Sequence, residues 1–468
     1  MIFHSLDFAL FLLVFLAVYW SLPHRAQNWF LLAGSYFFYG YVHPWFLILL
    51  FASTVGDYSF ALGMRRFERH KLLLLVCSLC ANLGLLSFFK YFGFFVDNAL
   101  AVAHVFGVTL SRPMLNIVLP VGISFYTFQS LSYTIDVYRG RLEPRRNFID
   151  FAAFLALFPQ LVAGPIERAT HVLPQVEQER HFDPERARLG VLLFLWGLFK
   201  KLVIADNTAL ITNKVFTLAN PGFALVWVGT LAFCVQIYAD FSAYSDMARG
   251  TARLLGFELM KNFDHPYLSE SPGQFWRRWH ISLSTWFRDY VYIPLGGNRG
   301  SRWRVYGTLL LTFLLSGFWH GASWNFVMWG AYHGLLLVLW RVVEEFAPGL
   351  LEARALKPLR VLLVFALVNV GWLMFRETDI HQLLRDLSLR PGSDTPAQRM
   401  AAGYFLGTVA CYAIPLVIDS GLYLGRVYQR ARATLGWALA EGGLAMLLVA
   451  GTALFSSDAS SDFIYFQF

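Results

Sequence analysis

The stretch KLLLLVCSLCANLGLLSFF, from Lys71 to Phe89, decides the fold class, because it stays apolar over the length of a membrane-spanning helix. Such a helix needs roughly 20 consecutive apolar residues. The stretch from Leu359 to Phe375 has the same character. A membrane-spanning β-strand would instead alternate apolar and polar residues over roughly 10 positions, so both stretches predict α-helices.

The composition extends this prediction to the whole chain. Of 468 residues, 57% are hydrophobic and 15% are charged, whereas soluble domains have about 25% charged residues. Long apolar runs recur from end to end, so the sequence predicts an all-α polytopic membrane protein with roughly ten or more helical passes. The formal net charge of +8 does not indicate nucleic-acid binding, because basic residues in membrane proteins mark cytoplasmic loops.

Basic clusters predict which loops face the cytoplasm. The positive-inside rule places three such clusters on the cytoplasmic face: Arg65, Arg66, Arg69 and Lys71; Arg139, Arg141, Arg145 and Arg146; and Arg426, Arg430 and Arg432. It also places residues 249–304 there, because this segment has nine basic side chains and four acidic ones. The segment 377–399 has four acidic side chains and three arginines and fits the opposite face. Basic sequence also flanks the short apolar stretch from Phe148 to Ala163. We therefore expect that stretch to dip into the membrane and return, which requires a covering cavity.

One titratable ring lies inside a run that is otherwise typical of a membrane span: His320, within SGFWHGASWNF from Ser316 to Phe326. A titratable side chain is costly to place in a membrane, so it is a functional-site hypothesis by default. The alternative is a core histidine hydrogen-bonded to a backbone carbonyl, and this segment alone leaves both open. The neighbours Trp319, Trp324 and Asn325 belong to the same candidate site.

A second candidate segment is QIYADFSAYSDM, from Gln236 to Met247. On a helix, Asp240 and Tyr244 share one face, and so do Ser242 and Asp246. Such polar stripes either join helices by hydrogen bonds or line a cavity. Two carboxylates in one buried segment favour the lining role.

A third candidate segment is PGQFWRRWHISLSTWFRDY, from Pro272 to Tyr290, which predicts one amphipathic helix at the inner membrane interface. Its tryptophans and arginines also fit a simple interfacial anchor, but an anchor does not explain a histidine beside the rings. The candidate residues here are Trp276, Arg277, Arg278, Trp279 and His280.

No familiar metal or nucleophile motif accompanies His280 and His320. The sequence has no H-E-x-x-H, no third histidine or suitably spaced cysteine beside them, no P-loop and no G-x-S-x-G elbow. We therefore predict no metal. What remains is a histidine acting as general base on a hydroxyl, with an activated acyl donor that needs no enzyme nucleophile.

Long strings around these residues resemble the membrane-bound O-acyltransferase (MBOAT) family, in the bacterial branch that is similar to alginate O-acetyltransferase. They are YADFSAYSDMA (Tyr238 to Ala248), YLSESPGQFWRRWHISLSTWFRDYVYIPLGGN (Tyr267 to Asn298) and GFWHGASWNF (Gly317 to Phe326), supported by PVGISFYTFQSLSY (Pro120 to Tyr133) and Gly164-Pro165-Ile166. The strings occur in the order that the family has them.

The resemblance implies an MBOAT-like ring of about 11 transmembrane helices with re-entrant segments around a central tunnel. It implies a single membrane-embedded domain over residues 1–468, with a core at about 115–400 and C-terminal helices at about 401–456. His320 matches the family's catalytic histidine, and His280 matches the second active-site position, which is Asn in many members. The donor would reach His320 from the cytoplasm and the acceptor from the far side.

The implied activity is O-acetylation of an exported polysaccharide, such as alginate, cellulose or peptidoglycan glycan, in the bacterial cytoplasmic (inner) membrane. The implied donor is acetyl-CoA, with no bound cofactor, and the implied partners are extracytoplasmic acetyltransferase or acetyl-carrier proteins. A cytoplasmic mouth ringed by arginines would attract the anionic donor. These arginines are Arg277, Arg278, Arg288, Arg299 and Arg302. Two alternatives remain: D-alanyl transfer to teichoic acid from a carrier protein, and a proton-coupled transporter using Asp240, Asp246 and the two histidines.

Overall fold

The computed structural model describes residues 1–112, 118–162, 164–347, 353–425, 435–457 and 463–464. Within these ranges the chain forms helices and no β-strand, which confirms the predicted helical class. Ala163 and the predicted basic cluster of Arg426, Arg430 and Arg432 lie outside the described residues.

The α-helices, numbered in chain order, have the following bounds. They are α1 (Leu6–Ser21), α2 (His24–Gly40), α3 (Phe46–Arg66), α4 (Lys71–Leu86), α5 (Phe92–Val105), α6 (Ile123–Tyr138), α7 (Phe148–Ala156), α8 (Phe158–Leu161), α9 (Ala169–Glu177), α10 (Pro184–Phe199), α11 (Asp206–Phe216), α12 (Phe223–Leu254), α13 (Pro272–Arg278), α14 (Ile281–Phe287), α15 (Arg302–His320), α16 (Trp324–Phe346), α17 (Lys357–Arg376), α18 (Ile380–Ser388), α19 (Pro396–Leu424) and α20 (Leu435–Phe455). Wider π-helical turns occupy Ser87–Tyr91, Lys200–Ala205 and Arg288–Tyr292.

Several of these helices are long and apolar enough to cross a membrane, so the chain is a multi-pass membrane protein. In the part of the chain that the structure describes, six stretches qualify: Phe46–Arg66, Glu68–Val105, Phe223–Leu254, Trp324–Phe346, Arg354–Arg376 and Pro396–Leu424. Shorter apolar helices cover Leu6–Ser21 and Leu439–Phe455. The ring of about 11 helices around a tunnel stays a prediction.

The chain divides into two compact units, residues 1–191 with 248–260 and residues 192–247 with 261–468. In the first unit, helix α4 has an exposed apolar face and a buried polar face. Leu72 and Leu73 are exposed, as lipid contact requires, whereas Ser78 and Asn82 are buried and donate hydrogen bonds to the buried carboxylate of Asp57 at 2.6 and 2.9 Å. The polar side chains therefore join helices inside the unit.

The stretch predicted to re-enter the membrane forms two short helices in the first unit. Helix α7 ends at Ala156, the backbone turns at Leu157, and α8 follows. The nine residues of α7 reach about 13 Å, well short of a bilayer core of about 30 Å. Phe151, Phe154 and Phe158 are fully buried, so protein covers this backbone, as a re-entrant segment requires.

The second unit contains the candidate site. Helices α15 and α16 of this unit form a closely packed antiparallel pair. Glycines let these helices touch: a Cβ on Gly317 would overlap the backbone oxygen of Phe326 and lie 3.0 Å from the Cα of Gly330. A Cβ on Gly330 would likewise overlap the backbone oxygen of Phe313. The residues that end α15, including His320, are therefore held close to α16.

The prediction of one amphipathic helix over Pro272 to Tyr290 is wrong. Helix α13 ends at Arg278, and α14 begins at Ile281. Between them His280 adopts a left-handed backbone with φ of 43°, which an L-residue in a continuous right-handed helix cannot have. Trp276 and Trp279 are buried in protein and do not form an exposed interfacial anchor.

Candidate active site

His320 is the last residue of α15 and is only 4% exposed. Its ring lies edge-on to three aromatic rings, with centroid distances of 5.0 Å to Trp319, 5.0 Å to Trp329 on α16 and 5.4 Å to Phe375 on α17. Three helices therefore enclose one imidazole in an apolar, aromatic setting. Such a setting keeps water away from the imidazole, as the predicted general base would require.

His280 lies at the break between α13 and α14 and is fully buried. Its ring packs edge-on against Phe241 on α12 at 4.6 Å and against Trp319 at 6.2 Å. Because Trp319 contacts both histidines, the structure brings the two predicted catalytic residues into one aromatic cluster. A strained left-handed backbone at a buried histidine is typical of functional sites.

The surroundings of His280 keep its ring neutral. Burial lowers the pKa of His280 to about 3, because a charged imidazolium loses its hydration. Nδ1 of the ring lies 3.1 Å from Oδ1 of Asn262. A neutral ring with one nitrogen held by an amide can bind or orient a substrate group through the other nitrogen.

The predicted polar stripes of α12 contact two lysines that were not among the predicted site residues. Lys201 lies 3.1 Å from Asp240, and its ammonium is 5.9 Å from the centre of the Tyr244 ring. The preceding lysine bonds the other stripe, with distances of 2.8 and 2.6 Å from Lys200 Nζ to Ser242 and Asp246. The structure thus shows ion pairs between α12 and the π-helical turn Lys200–Ala205, and the lining role remains a prediction.

Residues close to the end of the chain contact the same face of α12. The ring of Phe463 packs against that of Tyr244 with a centroid distance of 4.1 Å and a tilt of 37°, and the backbone N–H of Ile464 donates to Oδ2 of Asp240 at 2.8 Å. Both residues are buried. This contact was not predictable from the sequence, because nothing in a short apolar stretch specifies which helix it meets.

The predicted donor-binding residues separate into two groups. A cavity of about 410 Å³ is lined by Trp276, Arg277, Arg288 and, on α15, Ser316. Arg278 points elsewhere, and its guanidinium lies 3.4 Å from the backbone oxygen of His265. Ser316 stands one helical turn before His320, so the cavity extends along α15 toward the candidate base.

The remaining predicted residues hold the framework of the site. Trp279 is buried 4.7 Å from Trp372. Asn325 is buried and bonds the backbone oxygen of Met374 at 3.4 Å. Trp324, in contrast, is 55% exposed at the start of α16. Its side chain therefore lies at the protein surface.

A further histidine, which was not among the predicted site residues, belongs to the same aromatic cluster. His333 on α16 is 2% exposed and packs at 4.8 Å from Trp329 and 5.1 Å from Trp276. Trp329 also contacts His320. The i,i+4 spacing of Trp329 and His333, in an otherwise apolar span, was the available signal.

The sequence is similar to those of known proteins over the segments that form this site. The family model described as MBOAT, membrane-bound O-acyltransferase family, matches residues 141–348, which include His280 and His320. A probable alginate O-acetylase AlgI of Pseudomonas putida is 38% identical over 486 residues, covering 98% of each chain. The chain belongs to the membrane-bound O-acyltransferase family. It is therefore an acyltransferase, as the resemblance predicted.

Other members of the family are also similar to this MBOAT chain. A probable alginate O-acetylase AlgI of Azotobacter vinelandii is 45% identical over 379 residues, which are 79% of this chain and 74% of the relative. A peptidoglycan O-acetyltransferase of Helicobacter pylori is 36% identical over 417 residues, which are 81% of this chain and 78% of the relative. The first relative is named for O-acetylation of alginate and the second for O-acetyl transfer to peptidoglycan.

Proposed function

We propose that this MBOAT protein takes an acetyl group from acetyl-CoA on the cytoplasmic face of the bacterial inner membrane and passes it toward an exported polysaccharide. Alginate or a similar polymer fits the names of the relatives. The acceptor hydroxyl would come from the opposite face, supplied by an extracytoplasmic acetyltransferase or acetyl-carrier protein. No bound cofactor takes part in this scheme.

The observation that carries the proposal is the cavity beside α15. Two arginines, Arg277 and Arg288, line it together with apolar residues, and Ser316 is its lining residue nearest in the chain to His320. Arg288 also pairs with the neighbouring Asp289 at 2.8 Å, so Arg277 is the stronger candidate for binding the donor. Its volume of about 410 Å³ lies in the usual range for small-molecule sites. The cations suit the phosphates of coenzyme A, while the apolar walls suit the thioester arm.

The distance along α15 fits an extended arm. Leu309, the first α15 residue that lines the cavity, precedes His320 by a rise of about 16 Å. The charged part of the donor would stay near the arginines while only the thioester reaches the histidine. This division avoids the cost of moving phosphates into the membrane.

The chemistry requires one base and an activated acyl group. His320 accepts the proton of the hydroxyl as the hydroxyl oxygen attacks the thioester carbonyl. The carbon–sulfur bond then breaks, and the departing thiolate takes a proton from the imidazolium, which restores the neutral base. His280 either holds the acceptor or stabilises the developing oxyanion.

The first test replaces the base. His320→Ala should insert normally but lower acetyl transfer from acetyl-CoA in membrane vesicles by ~10²- to 10⁴-fold, which is the contribution of a general base. His70→Ala, a change at an exposed histidine, is the control and should retain activity. Full acetylation of the polymer by His320→Ala would overturn the proposal. Transfer from an acylated carrier protein but not from acetyl-CoA would support D-alanyl chemistry, and solute transport without turnover would indicate a transporter.

The second test reverses the charges in the cavity. Arg277→Glu with Arg288→Glu should raise the donor KM by roughly 10-fold or more, and added salt should reduce the difference. Arg385→Glu with Arg390→Glu is the charge-matched control, because both arginines lie in the predicted extracytoplasmic segment. An unchanged donor KM in the double variant would remove the electrostatic argument.

A further inference from the structure

The turn that holds His280 is closed by one side chain from an earlier segment, Asn262. Its Oδ1 lies 3.1 Å from Nδ1 of His280. The same oxygen accepts the backbone N–H of Ser282 at 3.2 Å and the Ser282 hydroxyl at 3.0 Å. Asn262, His280 and Ser282 are all at most 1% exposed. A single amide oxygen thus gathers three groups of the turn.

The backbone of Ser282 decides which end of the Asn262 amide faces the turn. A backbone N–H only donates, so the amide atom that it meets must be the oxygen. An amide oxygen only accepts, so Nδ1 of His280 must carry the proton in this contact. In a neutral imidazole the lone pair is then on Nε2.

Backbone bonds keep Asn262 in place independently of its side chain. The Ile281 N–H donates to the backbone oxygen of Asn262 at 2.9 Å, and the Asp264 N–H donates to that of Arg278 at 2.9 Å. On the other side of the amide, Asn262 Nδ2 donates to the hydroxyl of Ser245 at 3.1 Å. The segment therefore presents its amide to His280 in a single orientation.

We propose that Asn262 is a positioning residue that fixes His280 as the Nδ1–H tautomer and makes Nε2 a hydrogen-bond acceptor for an O–H or N–H group of the substrate. This inference rests on the proposed function and deepens it. A neutral Nδ1–H ring holds a substrate hydrogen and does not donate from Nε2 to an oxyanion. His320 remains the residue that removes the hydroxyl proton.

The tautomer can be observed without substrate. Solid-state ¹⁵N spectra of histidine-labelled protein in lipid, with the His280 signals assigned by comparison with His280→Ala, should show a protonated Nδ1 and an unprotonated Nε2. In Asn262→Ala the Nε2–H form should appear. A proton on Nε2 in the unaltered protein would overturn the inference, whatever the donor proves to be.

Kinetics test the consequence for turnover. Asn262→Ala should lower kcat roughly 10- to 100-fold, with little change in donor KM. This range is taken by analogy from metal enzymes, in which a ligating histidine loses the residue that orients it. Asn262→Asp keeps an acceptor oxygen in the same place and should recover most of kcat at alkaline pH. Its carboxylate favours the imidazolium, so the acidic limb of the pH–rate profile should move to higher pH.

Ser245→Ala separates positioning from a purely structural role. It removes the other side-chain bond of Asn262 but leaves Oδ1 facing the turn, so it should keep the tautomer and the pH profile. Equal losses of kcat in Ser245→Ala and Asn262→Ala, with an unchanged tautomer in both, would contradict the inference. An unaltered protein that shows no turnover of acetyl-CoA would instead defeat the proposed function, and the spectra would still decide the role of Asn262.

Discussion

At the scale of single residues, Gly317 sets how closely α15 and α16 pack. A Cβ there would overlap the backbone oxygen of Phe326, and backbone cannot move aside as a flexible side chain can. We expect Gly317→Ala to lower the free energy of unfolding by about 1–3 kcal/mol, as overpacked cores do. The measurement is thermal unfolding in detergent, together with acetyl transfer, since His320 is three residues away.

Gly307 on the same helix is the matched control. A Cβ on Gly307 meets no atom within 4 Å, so Gly307→Ala should be neutral or stabilise by about 0.5–1 kcal/mol through the better helix propensity of alanine. Equal thermal stabilities of the two variants would show that close contact of the helices is not what Gly317 provides.

Candidate site residues can be found from the sequence where their chemistry conflicts with a membrane setting. His320 met that criterion because a titratable ring stood alone in an apolar run. Lys200 and Lys201 satisfied the same rule but were not singled out, although they lie together within an apolar stretch. Asn262 could not be found in this way, because an asparagine in a polar connecting segment carries no signal until the fold brings it to His280.

At the scale of elements, a buried ion pair joins α12 to the π-helical turn Lys200–Ala205. Lys201 is fully buried, and its Nζ lies 2.9 Å from Asp206 and 3.1 Å from Asp240. Lys201→Met would leave two carboxylates without their cation. We expect it to lower the free energy of unfolding by about 3–5 kcal/mol, the usual cost of breaking a buried pair by removing one partner.

A compensating variant shows whether charge is the cause. Lys201→Met combined with Asp206→Asn and Asp240→Asn removes all three charges and should recover much of the stability, because neutral amides cost less to bury. Lys214→Met, at an exposed lysine, controls for the loss of one positive charge. If Lys201→Met and Lys214→Met unfold at the same temperature, the pairing does not hold these elements together.

Element boundaries were less predictable than element type. Apolar length was sufficient to predict the long helices, since a span must be about 20 residues whatever its partners. The break at His280 depends on a left-handed backbone that is held by Asn262, and no local pattern specifies it. The segment from Pro272 to Tyr290 therefore looked like one helix although it forms two.

At the scale of the whole molecule, the proposed transfer requires access from both membrane faces, and the helices of the second unit indicate how the chain alternates between them. Arg302 and Glu345 lie 3.4 Å apart, so α15 begins where α16 ends. Lys357, at the start of α17, lies 3.0 Å from Glu270. The 20 residues of α17 then reach about 30 Å, which is the thickness of a bilayer core. Its end at Arg376 should therefore lie on the opposite face.

Cysteine labelling tests this alternation and, with it, the proposed direction of acetyl transfer. Arg299 and Arg390 are both exposed arginines, one before α15 and one after α17. In a variant without Cys77, Cys80, Cys234 and Cys411, Arg390→Cys should react in intact cells with a membrane-impermeant maleimide. Arg299→Cys should react only after the membrane is opened, because its segment carries the basic excess that stays inside. Labelling of both cysteines in intact cells, or of Arg299→Cys alone, would place the arginine-lined cavity away from the cytoplasm and exclude acetyl-CoA as the direct donor.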